Sequence, residues 1–106
     1  MKNMQNIEVN NIVFGKNHPL VLIAGPCVIE SEKECCLLAQ KIRDIVIDAD
    51  MPVIFKASYD NLNRSSIKSY RGPGIKDGIN ILSKIKNEIG VPVLSDVHSC
   101  SEIDMV

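Results

Sequence analysis

The chain has 106 residues, 12 of them basic and 13 acidic, a net charge of -1 and 45% hydrophobic side chains. That is enough for one small core; it offers neither the cationic surface that attracts nucleic acid or an anionic membrane nor the ~18 consecutive apolar residues of a membrane span. The opening MKNMQNIEVNN lacks the apolar core and small-residue cleavage site of a secretory signal, so a cytoplasmic location is expected, with no membrane or nucleic-acid partner.

Ile7–Val9 and Ile12–Phe14 flank Asn10-Asn11, which predicts a β-hairpin. Residues 20–24 (LVLIA), 53–55 (VIF) and 91–94 (VPVL) are short unbroken apolar runs. Such runs predict strands buried on both faces, as in parallel sheets. Between the first two, Ser31 and Glu34 have the spacing of a capping box. Cys35, Leu38, Ala39, Ile42, Ile45, Val46 and Ala49 then recur on one helical face. Asp50-Met51-Pro52 stops this helix, because the residue before proline is biased away from helix. A second helix is predicted over 75–89, with Ile75, Gly78, Ile79, Leu82, Ile85 and Ile89 as its stripe and Gly90 at its C-terminal cap. Ser99 and Glu102 repeat the capping-box spacing and predict the start of a third helix. Strands alternating with helices give a parallel α/β fold. This run of elements suits half of a doubly wound sheet or the first units of a (β/α)8 barrel.

In both architectures ligands bind at the C-terminal ends of the strands. Three segments lie there: Gly25-Pro26-Cys27, the long stretch Lys56–Gly74, and Ser95-Asp96-Val97-His98. The middle one carries Lys56, Ser58, Asn63, Arg64, Ser65, Lys68 and Arg71 against Asp60 as its acid. That composition suits a phosphate, since arginine offers a bidentate fork and serine a hydroxyl donor; the bland alternative is a solvated basic loop. Arg71-Gly72-Pro73-Gly74 resembles a phosphate loop only superficially, because proline and glycine often introduce a helix. Asp96 and His98, two residues apart, are expected to share a direction. The four cysteines, Cys27, Cys35, Cys36 and Cys100, lack the spacing of a paired zinc site. Cys35 suits a buried thiol. Cys27, at a strand end, remains open between nucleophile, metal ligand and structural thiol.

The strings LIAGPCVIES (22–31), FKASYDNLNRSSIKSYRGPG (55–74) and VLSDVH (93–98) occur in this order. From about Ile7 onward the chain resembles the start of the 3-deoxy-D-manno-octulosonate 8-phosphate synthase (2-dehydro-3-deoxyphosphooctonate aldolase) family. The related aldoheptulosonate phosphate synthases usually carry a KPRT-type string where this chain has Asn63-Arg64-Ser65-Ser66. The resemblance therefore implies arabinose 5-phosphate, not erythrose 4-phosphate, as the acceptor for phosphoenolpyruvate, in a reaction that feeds lipopolysaccharide core synthesis. It implies a (β/α)8 barrel capped at its bottom by a hairpin, and a homotetramer. By the same match Lys56 and Ser58 bind phosphoenolpyruvate. Asn63, Arg64 and Ser65 hold arabinose 5-phosphate, with Arg64 and Ser65 on its phosphate across a subunit boundary, and Asp96 contacts the sugar hydroxyls. Cys27 matches the cysteine of the metal-dependent subclass, which implies a divalent cation such as zinc, iron or manganese.

Asn61 stands where the family normally has a lysine for phosphoenolpyruvate, and Ser95 where threonine is usual. Weaker phosphoenolpyruvate binding is the expected consequence of the first. The family's other metal ligands lie on later strands. Residues 1–106 are thus expected to be the N-terminal part of a single barrel domain, a hairpin plus the first two and a half β/α units. By itself such a chain is expected to be catalytically silent, a weak metal binder and either poorly folded or self-associated. The competing readings are a non-catalytic truncated gene product and a phosphate-binding module on an open sheet.

Overall fold

The computed structural model describes residues 5–62, 66 and 68–106. The hairpin forms as expected: β1 (Ile7–Val9) pairs antiparallel with β2 (Ile12–Phe14), with Val9 opposite Ile12. Its turn is closed by Asn10 at a left-handed φ of 53°, a conformation asparagine tolerates better than most residues. Three parallel strands follow, β3 (Leu22–Ala24), β4 (Val53–Lys56) and β5 (Val93–Leu94), ordered β3-β4-β5. The hairpin turn lines a pocket with Lys86, Gly90, Val91 and Pro92, which places it at the N-terminal end of that sheet.

The first crossover is α1 (Glu32–Asp48). The Ser31 hydroxyl accepts from Glu34 N–H at 3.1 Å, the hydroxyl half of the predicted capping box, worth about 1 kcal/mol. Glu32 and Glu34 put negative charge in the first turn, where the helix dipole favours it. The helix stop does not depend on Pro52 alone. Asp50 adopts φ 52° and donates to Ile47 O at 3.1 Å, while Met51 N–H donates to Val46 O at 2.9 Å. This is a Schellman closure with aspartate where glycine is usual. The predicted stripe needs two corrections: Ala49, at the C-cap, is exposed, and Ile45 is 66% exposed. It lies about 100° round the helix from Val46, and Val46 takes the core position.

The second crossover is α2 (Ile75–Lys84), continued by a π-helical turn over Ile85–Ile89. Gly90 closes it at φ 81° as expected, its N–H donating to Ile85 O at 3.3 Å. The two helices are tied by Lys84 Nζ to Glu32 Oε2 at 3.4 Å and by Arg43 Nη1, which donates to Ile89 O at 3.2 Å. A short 3-10 turn, Cys100–Glu102, stands where the third helix was expected to start.

Register explains the core. Leu22, Val53, Phe55 and Val93 point to the helices and pack with Ala39, Val46, Ile81, Leu82 and Ile85. Ile23 pairs with Ile54, and Lys56 with Leu94; alternation sends these four to the opposite face. Among the described residues no helix covers it, and Ile23 and Leu94 are 46% and 39% exposed while Ile54, in the central strand, is buried. The expectation of strands buried on both faces therefore fails at β3 and β5 and holds in β4, whose apolar residues are all buried. The architecture is mixed α/β. Among the described residues no helix is long and apolar enough to cross a membrane.

Candidate functional site

The C-terminal ends of β3, β4 and β5 meet where backbone packing is tightest. A Cβ on Gly25 would fall 1.7 Å from Lys56 O, so only glycine lets the segment leading to Cys27 pass the end of β4. Ile29 N–H donates to Ser58 O at 3.0 Å, and Ala57 N–H to Leu94 O at 3.1 Å. These bonds extend the strand pairing into the loops and bring the three strand ends together.

Lys56, the last residue of β4, is exposed on the uncovered face. Ser58 is buried; its Oγ donates to Asp60 O at 2.7 Å and lies 3.5 Å from His98 Nε2. The same His98 nitrogen lies 3.6 Å from Asp96 Oδ2, so Asp96 and His98 do share a direction. Ser58, Asp96 and His98 thus form one polar cluster at two neighbouring strand ends, with Lys56 the last residue of β4. Asn63, Arg64 and Ser65 lie outside the described residues. Cys27 is exposed, as is Cys100, whereas Cys35 is buried as expected. Burial first, and then Cys36, push the Cys35 thiol up to about 11.

The long stretch after β4 is pinned at its base. Asn61 N–H donates to Arg71 O at 2.6 Å and Gly74 N–H to Tyr59 O at 3.1 Å. Arg71 grips Asp60 through two bonds, Nε to Oδ1 at 2.7 Å and Nη2 to Oδ2 at 3.0 Å. That hydrogen bonding, and then the Asp60 charge, raise the Arg71 pKa. The guanidinium that composition offered to a phosphate is thus engaged by the loop's own acid. Arg71-Gly72-Pro73-Gly74 acts as punctuation: Gly72 at φ 125° passes so close to Tyr59 that a Cβ would fall 2.4 Å from its carbonyl oxygen.

Two residues of the cluster escaped the sequence reading. Tyr59 is buried, and its hydroxyl donates to Glu102 Oε1 at 2.7 Å. Burial first, and next that carboxylate, raise its pKa. Glu102 was expected to cap a helix from Ser99. Ser99 makes no side-chain cap bond, and its Oγ instead lies 3.0 Å from Ser101 Oγ. The Ser-x-x-Glu spacing misled because the glutamate's better partner, a buried phenol, is remote in sequence. The available signal was Tyr59 itself, a polar-tipped aromatic three residues past the end of β4.

Among the described residues no group of three or more His, Cys, Asp or Glu side chains is placed to hold a metal ion. Catalytic metal sites take about three protein ligands, so these residues alone do not fit a metal centre.

Residues 3–106 match the family model described as the DAHP synthetase I family. The chain is similar to the 2-dehydro-3-deoxyphosphooctonate aldolase of Geotalea daltonii, 52% identical over 101 residues, covering 95% of this chain and 37% of that protein. The protein of the same name from Geotalea uraniireducens is 50% identical over 101 residues, with the same coverage of 95% and 37%. That of Desulfatibacillum aliphaticivorans is 51% identical over 94 residues, covering 89% of this chain and 34% of its own length. The chain thus spans a little over one third of the relatives it matches.

Proposed function

The chain belongs to the DAHP synthetase I family, and on that premise we propose that it is the N-terminal part of a (β/α)8-barrel synthase condensing phosphoenolpyruvate with arabinose 5-phosphate. The observation that carries the reading is the cluster of Ser58, Asp96 and His98 at the C-terminal ends of β4 and β5, with Lys56 exposed at the end of β4 on the face that no helix covers among the described residues. In a closed barrel that face is the interior, and strand-end residues of this kind line the active site. The name borne by the relatives, 2-dehydro-3-deoxyphosphooctonate aldolase, supports the same chemistry.

In the proposed reaction the enol carbon of phosphoenolpyruvate forms a bond to the sugar aldehyde carbon, whose oxygen takes a proton. Positive character develops at the carbon bearing phosphate, water adds there, and inorganic phosphate leaves. Lys56 offsets the charge of phosphoenolpyruvate, with Ser58 beside it. Asn63, Arg64 and Ser65 take the sugar phosphate, and Asp96 orients the sugar hydroxyls. Both substrates are anionic, so these cations must offset their repulsion. Cys27 would supply one thiolate to a divalent zinc, iron or manganese ion, whose chemistry is to polarise a carbonyl or a water. Its remaining ligands would come from the later strands. A cytoplasmic homotetramer with small-molecule substrates alone completes the proposal.

The test is a completed barrel, made by joining residues 1–106 to the C-terminal remainder of the Geotalea daltonii relative. Steady-state kinetics should show a kcat/KM for arabinose 5-phosphate at least about tenfold above that for erythrose 4-phosphate, a discrimination of ~1.4 kcal/mol. Equal or reversed preference sinks the assignment.

A further inference from the structure

Tyr59 lies just past β4 with its ring 1% exposed. A phenol so buried needs partners for its hydroxyl. It has two, both from the segment after β5: it donates to Glu102 Oε1 at 2.7 Å and accepts from His98 N–H at 3.4 Å. The His98 imidazole stands edge-on to the ring, centroids 5.2 Å apart at 82°. That imidazole faces Asp96 at 3.6 Å and Ser58 at 3.5 Å. On its other side Tyr59 is fixed by α2: a Cβ on Gly78 would fall 2.4 Å from Tyr59 Cβ. The ring is therefore held by close packing, while its oxygen reaches across to the next strand end.

A phenylalanine would fill the same space, so packing does not call for the hydroxyl. β5 is only two residues long and lies at the edge of the sheet, so its own ladder does little to fix the residues after it. A phenol–carboxylate bond is charge-assisted and roughly twice as strong as a neutral one. We propose that Tyr59 is a positioning residue. Its hydroxyl, anchored by Glu102, fixes the main chain at His98 and so holds the Asp96–His98 pair opposite Ser58. The consequence for sugar binding rests on the functional reading above; the mechanical link does not.

Two measurements separate these. In the 106-residue chain, Tyr59→Phe should speed hydrogen exchange at the His98 amide at least tenfold, while Tyr70→Phe leaves it unchanged. Equal exchange in the chain and in Tyr59→Phe overturns the proposal. In the completed barrel, Tyr59→Phe should raise the KM for arabinose 5-phosphate several-fold and leave that for phosphoenolpyruvate within twofold. Glu102→Ala should reproduce this, and Glu102→Gln, which keeps an acceptor oxygen, should do so only weakly. An equal rise in both constants, or a fall in kcat alone, marks a general structural effect and overturns the positioning role. If the unsubstituted barrel shows no synthase activity, the functional reading fails, and the exchange experiment still decides the role of Tyr59.

Discussion

The two faces of the three-stranded sheet are built from similar residues and differ in fate at the edge strands, while Ile54 in the central strand is buried. Leu22, Val53, Phe55 and Val93 meet the apolar stripes of two helices. Ile23 and Leu94, one position along, stand exposed beside Lys56. The side chains are alike in hydrophobicity; the partners differ. An apolar run marks a strand that wants cover on both faces, and here the crossovers within the chain provide it on one. The other has no helix against it among the described residues.

The sharpest test of this contrast is a pair of truncations. Phe55→Ala should cost about 3–5 kcal/mol, because it removes a fully buried ring and leaves a cavity among the helices. Ile23→Ala should cost less than about 1 kcal/mol, since its side chain is nearly half exposed already. Urea denaturation of both variants checks this, and similar losses would mean that the second face is covered as well.

Reactivity toward iodoacetamide at pH 8 should divide the cysteines in the same way. A thiol pushed up to about 11 carries roughly a hundredth of the ordinary thiolate. Mass spectrometry should therefore find Cys27 and Cys100 alkylated first and Cys35 last by about two orders of magnitude in rate. Early loss of Cys35 would show that the helix-facing side opens easily.

The open face should also govern association. A contiguous apolar surface with an unpaired strand edge invites contact with another chain. The 106-residue chain should sediment above its monomer mass of 11.7 kDa. Leu94→Lys, which puts a charge at the edge, should return it toward that mass. An unchanged distribution would place the contact elsewhere.

The smallest effect expected is at high pH. The Tyr59 pKa is raised in the folded chain, so the fold favours the neutral phenol. Its stabilisation is full below the ordinary tyrosine value of about 10 and is lost as pH rises from there through the raised folded value. Thermal midpoints across that range should fall more steeply for the chain than for Tyr59→Phe. Parallel curves would remove Tyr59 from the account.

Much of this architecture was legible beforehand. The hairpin, three strands, two helices and the Gly90 cap each rest on signals within a few residues. So does the shared direction of Asp96 and His98, two positions apart. The misses have one physical origin. Ile45 has the right spacing for the core stripe, yet Val46 occupies the position facing the sheet. Arg71 reads as a free cation until Asp60 is beside it. Glu102 reads as a helix cap until Tyr59 takes its carboxylate.

What the sequence determined by itself is the order of elements, their caps and the segments that would carry chemistry, because propensity and periodicity act over one or two turns of chain. What only the tertiary structure decided is which sheet face is covered, and which charged or hydroxyl groups are already engaged. Those outcomes depend on pairings such as Tyr59 with Glu102, 43 positions apart. A hydrogen bond or a buried surface needs both partners in contact, and contact at that separation is set by the crossing of whole strands and helices.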